Sequence, residues 1–488
     1  MDKDNKKQEK RPVSLKGRVI RLSIVLILYL AFLYWLRSWL GLIVVPFIVD
    51  AYITKWIPWT WWKRSKNPML RTVMGWVDAI VFALVAVYFV NIYFFQNYQI
   101  PSSSLEKSLL VGDYLFVSKM SYGARIPNTP LSMPLTQHTM PLLNTKSYIE
   151  NPQWAYRRAA GCGEPKRGDI VVFNFPAGDT VALGYQDMDI YSLAYAVSGQ
   201  SGAAAMPPQM DSLSTLQQRA YFGTLYQSGM HHIRTMPQVF GKVITRPVDR
   251  RENYVKRCVA VPGDNLQIKK GEIYINGKKQ PMPREAQFAY SLYTEGVLSD
   301  ALREELQISL EDAMNYNPQE SRYVLPLTQQ AVNKLRKMKP FVRNVIRLTD
   351  SDEQGKVYPQ NMHHKWGRDN YGPIHLPKKG ETIAITLENL PIYERCITAY
   401  EGNTLAVKDG RIFINGKEAK TYTFKMGYYW MMGDNRHNSL DSRYWGFVPE
   451  DHIVGKPIVV WLSLDKDKGL FEGKIRWNRF FKFVSDIN

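Results

Sequence analysis

The chain has 488 residues and carries 63 Lys and Arg against 44 Asp and Glu, a formal net charge of +19. That length is ample for a buried core, and that charge points to either nucleic acid or an anionic membrane. Its three cysteines, Cys162, Cys258 and Cys396, form no CxxC and no Cys/His cluster, which argues against a disulfide scaffold or a zinc site and leaves one bridge open in an oxidising compartment.

The position of the charge favours the membrane. Eight basic residues, Lys3, Lys6, Lys7, Lys10, Arg11, Lys16, Arg18 and Arg21, precede a long apolar stretch, and Lys55, Lys63, Arg64, Lys66 and Arg71 lie between it and a second one. Basic residues beside apolar spans are the positive-inside pattern, and no nucleic-acid motif competes with it. The stretch 22–49 reads as a first span. Arg37 divides it, and Gly41 and Pro46 follow, so a re-entrant or interfacial segment is the alternative. It is too long for a cleaved signal peptide and lacks an Ala-x-Ala exit. Residues 73–95 are apolar except for Asp78 and Asn91, and at 1.5 Å per residue they reach roughly 35 Å, enough for a hydrocarbon core of about 30 Å. The 54–72 loop has five basic and no acidic residues, whereas 96–105 is uncharged. The loop is therefore expected in the cytoplasm and everything after residue 96 outside.

The resulting division is a segment 1–72 with the first span and a cytoplasmic loop, a transmembrane helix 73–95, an outer part 96–464, and a basic, aromatic tail 465–488. The outer part has short β-branched or aromatic runs at 114–118, 170–175, 272–276, 411–415 and 458–462. EIYINGK and RIFINGK each end on Asn-Gly, a tight-hairpin signal. A mainly β domain of mixed, mostly antiparallel sheets is expected. KRGDIVVF followed by GEIYINGKKQ is echoed by KKGETIAI followed by GRIFINGKEA, either a duplicated β unit or shared turn chemistry. Two insertions interrupt this pattern. Residues 281–370 are expected to carry helices, from Leu302, Leu306 and Leu310 at i, i+4 and Val332, Leu335 and Met338 at i, i+3. Residues 180–250 contain the Ser/Gly/Ala-rich piece SGQSGAAAMPPQ. The tail mixes Lys474, Arg476, Trp477, Arg479, Phe480, Phe481, Lys482 and Phe483, which suits lipid headgroups or a final element on the core.

A serine nucleophile needs a base, and the eight histidines offer no GxSxG-like context. A lysine can replace histidine where burial lowers its pKa. In Tyr254-Val255-Lys256-Arg257-Cys258-Val259-Ala260, strand alternation gives Lys256 the same face as Tyr254, Cys258 and Ala260, the apolar setting such a base requires. Directly after the second span stands Gln99-Ile100-Pro101-Ser102-Ser103-Ser104-Leu105. Any of the three serines could be the nucleophile; spacing to Pro101 and Leu105 favours Ser104. Lys107 is a rival base by proximity alone.

These segments resemble the boxes of the type I signal peptidases, the Ser/Lys family that removes signal peptides at the outer face of the membrane. Gln99 to Ser104 resembles the nucleophile box, Lys166-Arg167-Gly168-Asp169-Ile170-Val171-Val172-Phe173 the second strand box, and Tyr254 to Arg257 through Pro262-Gly263-Asp264 the lysine box. Gly433-Asp434-Asn435-Arg436-His437-Asn438-Ser439-Leu440-Asp441-Ser442-Arg443 resembles the last one. The resemblance implies Ser104 as nucleophile, Lys256 as general base, Ser102 as oxyanion donor and Ser439 as the group orienting Lys256. Asp434, Arg257, Asp441 and Arg443 would form a supporting network, and Ile100, Leu105, Leu109, Tyr254 and Val255 would line pockets for small residues. It further implies secreted precursors as substrates, membrane lipid as a partner, no nucleic acid, no metal or organic cofactor, and an inner-membrane location with the catalytic part outside. The chain departs from the family at Leu105-Glu106-Lys107-Ser108-Leu109, where the family has Met, then a short piece with Pro-Thr. The competing class is a non-enzymatic, membrane-tethered β module that binds exported proteins.

Overall fold

The computed structural model describes residues 14–143, 145–200, 210–349 and 356–487; five of the N-terminal basic residues and most of the Ser/Gly/Ala-rich piece lie outside them. Two helices are long and apolar enough to cross a membrane, α1 (Leu15–Leu36) and α2 (Pro68–Tyr93). Ser14 caps α1, its hydroxyl accepting from the Gly17 N–H, and Asn67 caps α2 ahead of Pro68. The apolar stretch 22–49 is not one helix. Arg37 adopts the left-handed conformation, its N–H closes on Leu33 and Tyr34, and the chain reverses. A shorter apolar segment, Leu40–Thr54, then folds back on α1, with the Tyr29 hydroxyl donating to the Gly41 carbonyl at 2.7 Å. Asp50 ends this return by accepting from Thr54, the Trp56 and Ile57 N–H groups and the Trp59 indole. The C-terminal ends of the two long helices meet through Phe32, Phe89 and Tyr93, and there the Trp35 indole donates to Ala160 of the β region.

Beyond α2 the central sheet is antiparallel throughout. Its strands are β1 (Phe95–Gln99), β2 (Asp113–Ser118), β3 (Ile170–Asn174), β4 (Asn253–Ala260), β5 (Tyr428–Met432) and β6 (Ile453–Ser463). They lie in the order β1-β2-β6-β3-β4-β5, followed by the short strand Val448–Pro449. β3 and β5 are buried at every position, which explains their unbroken apolar runs. One core, including Ile100, Leu105, Leu109, Leu115, Val117, Ile170, Val172 and Val460, lies under β1 and β2. A second gathers Phe173, Phe175, Cys258, Met431 and Trp445. All three cysteines are free.

The echo in the sequence corresponds to two like meanders. Asn265–Lys269, Glu272–Ile275 and Lys278–Lys279 pair as Leu405–Lys408, Arg411–Ile414 and Lys417–Glu418 do. In each, Asn-Gly takes positive φ, 51° and 78° at Asn276-Gly277 and 52° and 78° at Asn415-Gly416, and the Asn side chain accepts a backbone N–H at 2.9 Å. The 180–250 region holds an antiparallel helix pair, Ile190–Gln200 and Thr215–Thr235. The 281–370 region carries the expected helices together with a sheet not anticipated from the sequence. It has short helices at Asp300–Glu305, Leu310–Ala313 and Gln329–Leu335, but its main body is a four-stranded sheet in the order Tyr316–Asn317, Arg322–Thr328, Gln287–Thr294, Val342–Arg347. Buried on both faces, Gln287–Thr294 lacks the polar alternation that reveals a strand.

Candidate active site

The chain leaves β1 at Gln99, and a single 3-10 turn, Ser103–Leu105, carries the second and third of the three serines. Ile100 and Leu105 anchor this turn in the core, at 3% and 1% exposure. Two strands, β6 and β3, separate β4 from β2, so Lys256 reaches the turn across the sheet. Its Nζ donates to Ser104 Oγ at 2.6 Å. Ser102 precedes the turn in extended conformation without capping it, and its hydroxyl lies 3.4 Å from Ser104 Oγ.

Lys256 is 4% exposed, and burial pulls its pKa from 10.5 down to about 8 against the opposing pull of Asp441 and Asp434. A low pKa alone does not select the base. Lys119 is brought to about 7 by burial and by Arg125 and Arg158, but it lines a separate cavity. Contact with a serine hydroxyl distinguishes Lys256. Lys107, also buried and with its pKa lowered by burial, gives its amine to the Leu306 carbonyl at 3.1 Å and not to a serine hydroxyl.

Behind the dyad, Arg257 donates to Asp434 at 2.8 and 2.7 Å, and Asp434 also accepts from the Ser108 hydroxyl at 2.7 Å. Burial raises the Asp434 pKa, but the bonds and charge of Arg257 outweigh it and hold the carboxyl below its usual value. Arg443 forks onto Asp441 at 2.8 and 2.7 Å, and Asp441 accepts the Gly433 N–H. Asp441 is likewise held low against burial by Arg443. These pairs fix the 433–443 loop, whose Asn435 N–H donates to the Ser104 carbonyl at 3.0 Å and whose Asn435 amide donates to the Ser103 carbonyl. Gly433 is required here: a side chain on it would collide with the Ser439 hydroxyl and the Ser104 carbonyl.

Two expectations need correction. The Ser439 hydroxyl does not bond Lys256; lodged against Gly433, it is buried with no hydrogen-bond partner among the described residues. Ile100, Leu105 and Leu109 do not form an open pocket wall, because the core encloses them and Leu109 is fully buried. They are the floor. Tyr254 and Val255 stay half-buried, and Tyr254 stacks at 8° on Trp445 and edge-on to Phe175. Trp445 was not legible as a site residue, although it follows the last box by two positions. Among the described residues no group of His, Cys, Asp and Glu is arranged to hold a metal ion.

Comparison with known proteins identifies the family. The family model described as signal peptidase, peptidase S26, matches residues 73–343 and 419–462, more than half of the chain. The signal peptidase I of Buchnera aphidicola subsp. Acyrthosiphon pisum (strain APS) is 24% identical over 419 residues, covering 86% of this chain and 82% of the relative. That of Helicobacter pylori (strain ATCC 700392 / 26695) is 22% identical over 424 residues, covering 85% and 92%. A short stretch of 37 residues, 8% of this chain and 14% of the relative, is 62% identical to the signal peptidase I of Aquifex aeolicus (strain VF5). With the matched model spanning both the serine turn and β4, the chain belongs to the signal peptidase, peptidase S26, family of serine endopeptidases.

Proposed function

We propose that the protein is a membrane-anchored signal peptidase that cuts secreted precursors with a Ser104/Lys256 dyad. The observation that carries this reading is the 2.6 Å bond from a buried, low-pKa lysine to a serine hydroxyl. Ser104 Oγ attacks the scissile carbonyl as neutral Lys256 takes its proton, the Ser102 hydroxyl and the Ser104 N–H hold the oxyanion, and the protonated amine returns the proton to the leaving nitrogen. Lys256 then deprotonates the water that releases the acyl group. Each step uses side chains already in place, so no metal or organic cofactor enters the scheme. Asp434 and Asp441, each paired with arginine, keep the loop under Ser104 in register. Ser439, orphaned beside the same glycine, is suited to accept from the ammonium after proton transfer.

The substrate reading rests on strand edges. β1 pairs only with β2, and Asn253–Lys256 pair only with β3, so two edges are open beside the dyad among the described residues. An extended segment could add to them, with only small side chains next to the cut fitting against Tyr254 and Val255. A cavity of about 590 Å³ lined by Gln99 and Asn253 continues from these edges to Tyr88 and Asn91 of α2, towards the membrane surface. Membrane anchoring by α1 and α2 puts their joined C-terminal ends with the β region outside, and the basic segments before α1 and between Lys55 and Arg71 inside. With Leu40–Thr54 as the return, both basic segments share one side, as the positive-inside rule requires.

The test is labelling of detergent-solubilised protein with a serine-directed acylating probe. Labelling that is lost in Ser104→Ala supports the dyad. Complete absence of labelling in folded protein would favour the non-enzymatic binding module.

A further inference from the structure

The inserted sheet meets the catalytic loop at Gln287, Phe288 and Ala289, and of these Gln287 also reaches the serine turn. Gln287, the first residue of Gln287–Thr294 and 1% exposed, gives its N–H to the Asp434 carbonyl at 2.9 Å and takes the Arg436 N–H on its own carbonyl at 2.8 Å. It thereby forms the parallel bridge to Asn435, the residue that donates to Ser104 and Ser103. Its side-chain amide faces the other way and donates to the Glu106 carbonyl at 2.9 Å, two residues after Ser104. Lys107, next in the chain, has a positive φ of 72° and bonds Leu306 of the same inserted region. Thus the segment in which the chain departs from the family pattern, Glu106 and Lys107, is the segment that the insertion grips.

We infer that Gln287 is a positioning residue that ties the Ser104 turn to the 433–436 loop, an inference that rests on the reading of Ser104 as nucleophile. Its backbone fixes the loop and its amide fixes the exit of the turn, so one rigid strand sets the spacing between Ser104 Oγ and Lys256 Nζ. A misplacement of about 1 Å in a nucleophile can cost about a hundredfold in rate. The inserted sheet is then part of the catalytic scaffold, since deleting the amide frees the turn while both backbone bonds of Gln287 persist.

The experiment uses the full-length protein in detergent. It compares wild type, Gln287→Met, Gln330→Met and Ser104→Ala for cleavage of a precursor, with active sites counted by the acylating probe and Tm measured alongside. Methionine matches the length of glutamine and removes the donor; Gln330 is exposed on the same inserted region and serves as the control for an equal change elsewhere. Gln287→Met should lower kcat per titrated site about tenfold to a hundredfold and slow acylation alike, with KM within about twofold. Gln330→Met should behave as wild type. Wild-type kcat per titrated site in Gln287→Met, whatever its Tm, overturns the inference and leaves Gln287 a packing residue. Persistent cleavage by Ser104→Ala would instead overturn the nucleophile assignment itself.

Discussion

Arg257 and Asp434 meet in a two-pronged ion pair, Nε to Oδ1 at 2.8 Å and Nη2 to Oδ2 at 2.7 Å, one residue along the strand from Lys256. Asp434 is fully buried and Arg257 nearly so. Asp434→Asn leaves the guanidinium without its counter-charge, so urea unfolding at pH 7 should show a loss of about 3–5 kcal/mol. The folded carboxyl has a depressed pKa, so its contribution is complete above the unfolded carboxylate pKa and disappears as pH falls through the folded one. The wild-type advantage should therefore shrink in acid. A difference below about 1 kcal/mol at pH 7 would remove this pair from the account of the site.

His437 belongs to the 433–443 loop, and its ring bonds Ala289 and Asp369. Its side chain is 2% exposed, its Nδ1 accepts the Ala289 N–H at 3.2 Å, and its Nε2 faces Asp369 at 2.9 Å. Burial lowers its pKa despite that carboxylate. His437→Ala should lower Tm, because it strips partners from a buried backbone donor and a buried acid, yet kcat per titrated site should stay within about threefold of wild type. A loss of about a hundredfold at full occupancy of folded protein would make histidine the base and contradict the dyad.

The tail divides its labour between packing and exposure. Arg479 pairs with Asp113, Val484 and Ile487 are buried, and Lys482–Phe483 adds to β6. Trp477 and Phe481 point outward at 70% and 63% exposure. Replacing both by Ser should weaken binding of a protein lacking residues 1–95 to anionic liposomes without changing its Tm, whereas removal of 474–488 should lower Tm. Unchanged liposome binding in the double variant would confine the tail to packing.

The joined ends of α1 and α2 make a topology claim. Single cysteines at Ser38 and Ser65, in a background with Cys162 replaced, should differ in intact cells: position 38 should react with an impermeant thiol reagent and position 65 should be shielded. Equal shielding of both would mean that α1 does not cross.

Much of the site was readable because its chemistry is local in sequence: a serine turn after an apolar helix, a lysine among apolar strand neighbours, and Asp-Arg alternation in one loop. The two Asn-Gly meanders were legible for the same reason, since positive φ at those residues is written in the residue types. What was hidden depends on long-range contacts. Gln287–Thr294 is buried on both faces and shows no strand alternation, Gln287 acts across 181 residues on Glu106, and the Ser108 bond to Asp434 spans 326. The reversal at Arg37 was signalled by a charge in an apolar run, but the return along α1 needed the structure. Ser439 lies against Gly433, and its orphaned hydroxyl was not foreseeable from spacing.

The central claim is that Lys256 must be neutral to accept the Ser104 proton, and the most direct test is the rate of Ser104 acylation as a function of pH. The folded lysine has a pKa near 8, so the rate should rise tenfold per pH unit below that value and level off above it. Lys256→Arg, charged at every accessible pH, should abolish the reaction throughout the range. A profile with its midpoint near 6.5, the ordinary histidine value, together with near wild-type acylation in Lys256→Arg, would contradict the dyad.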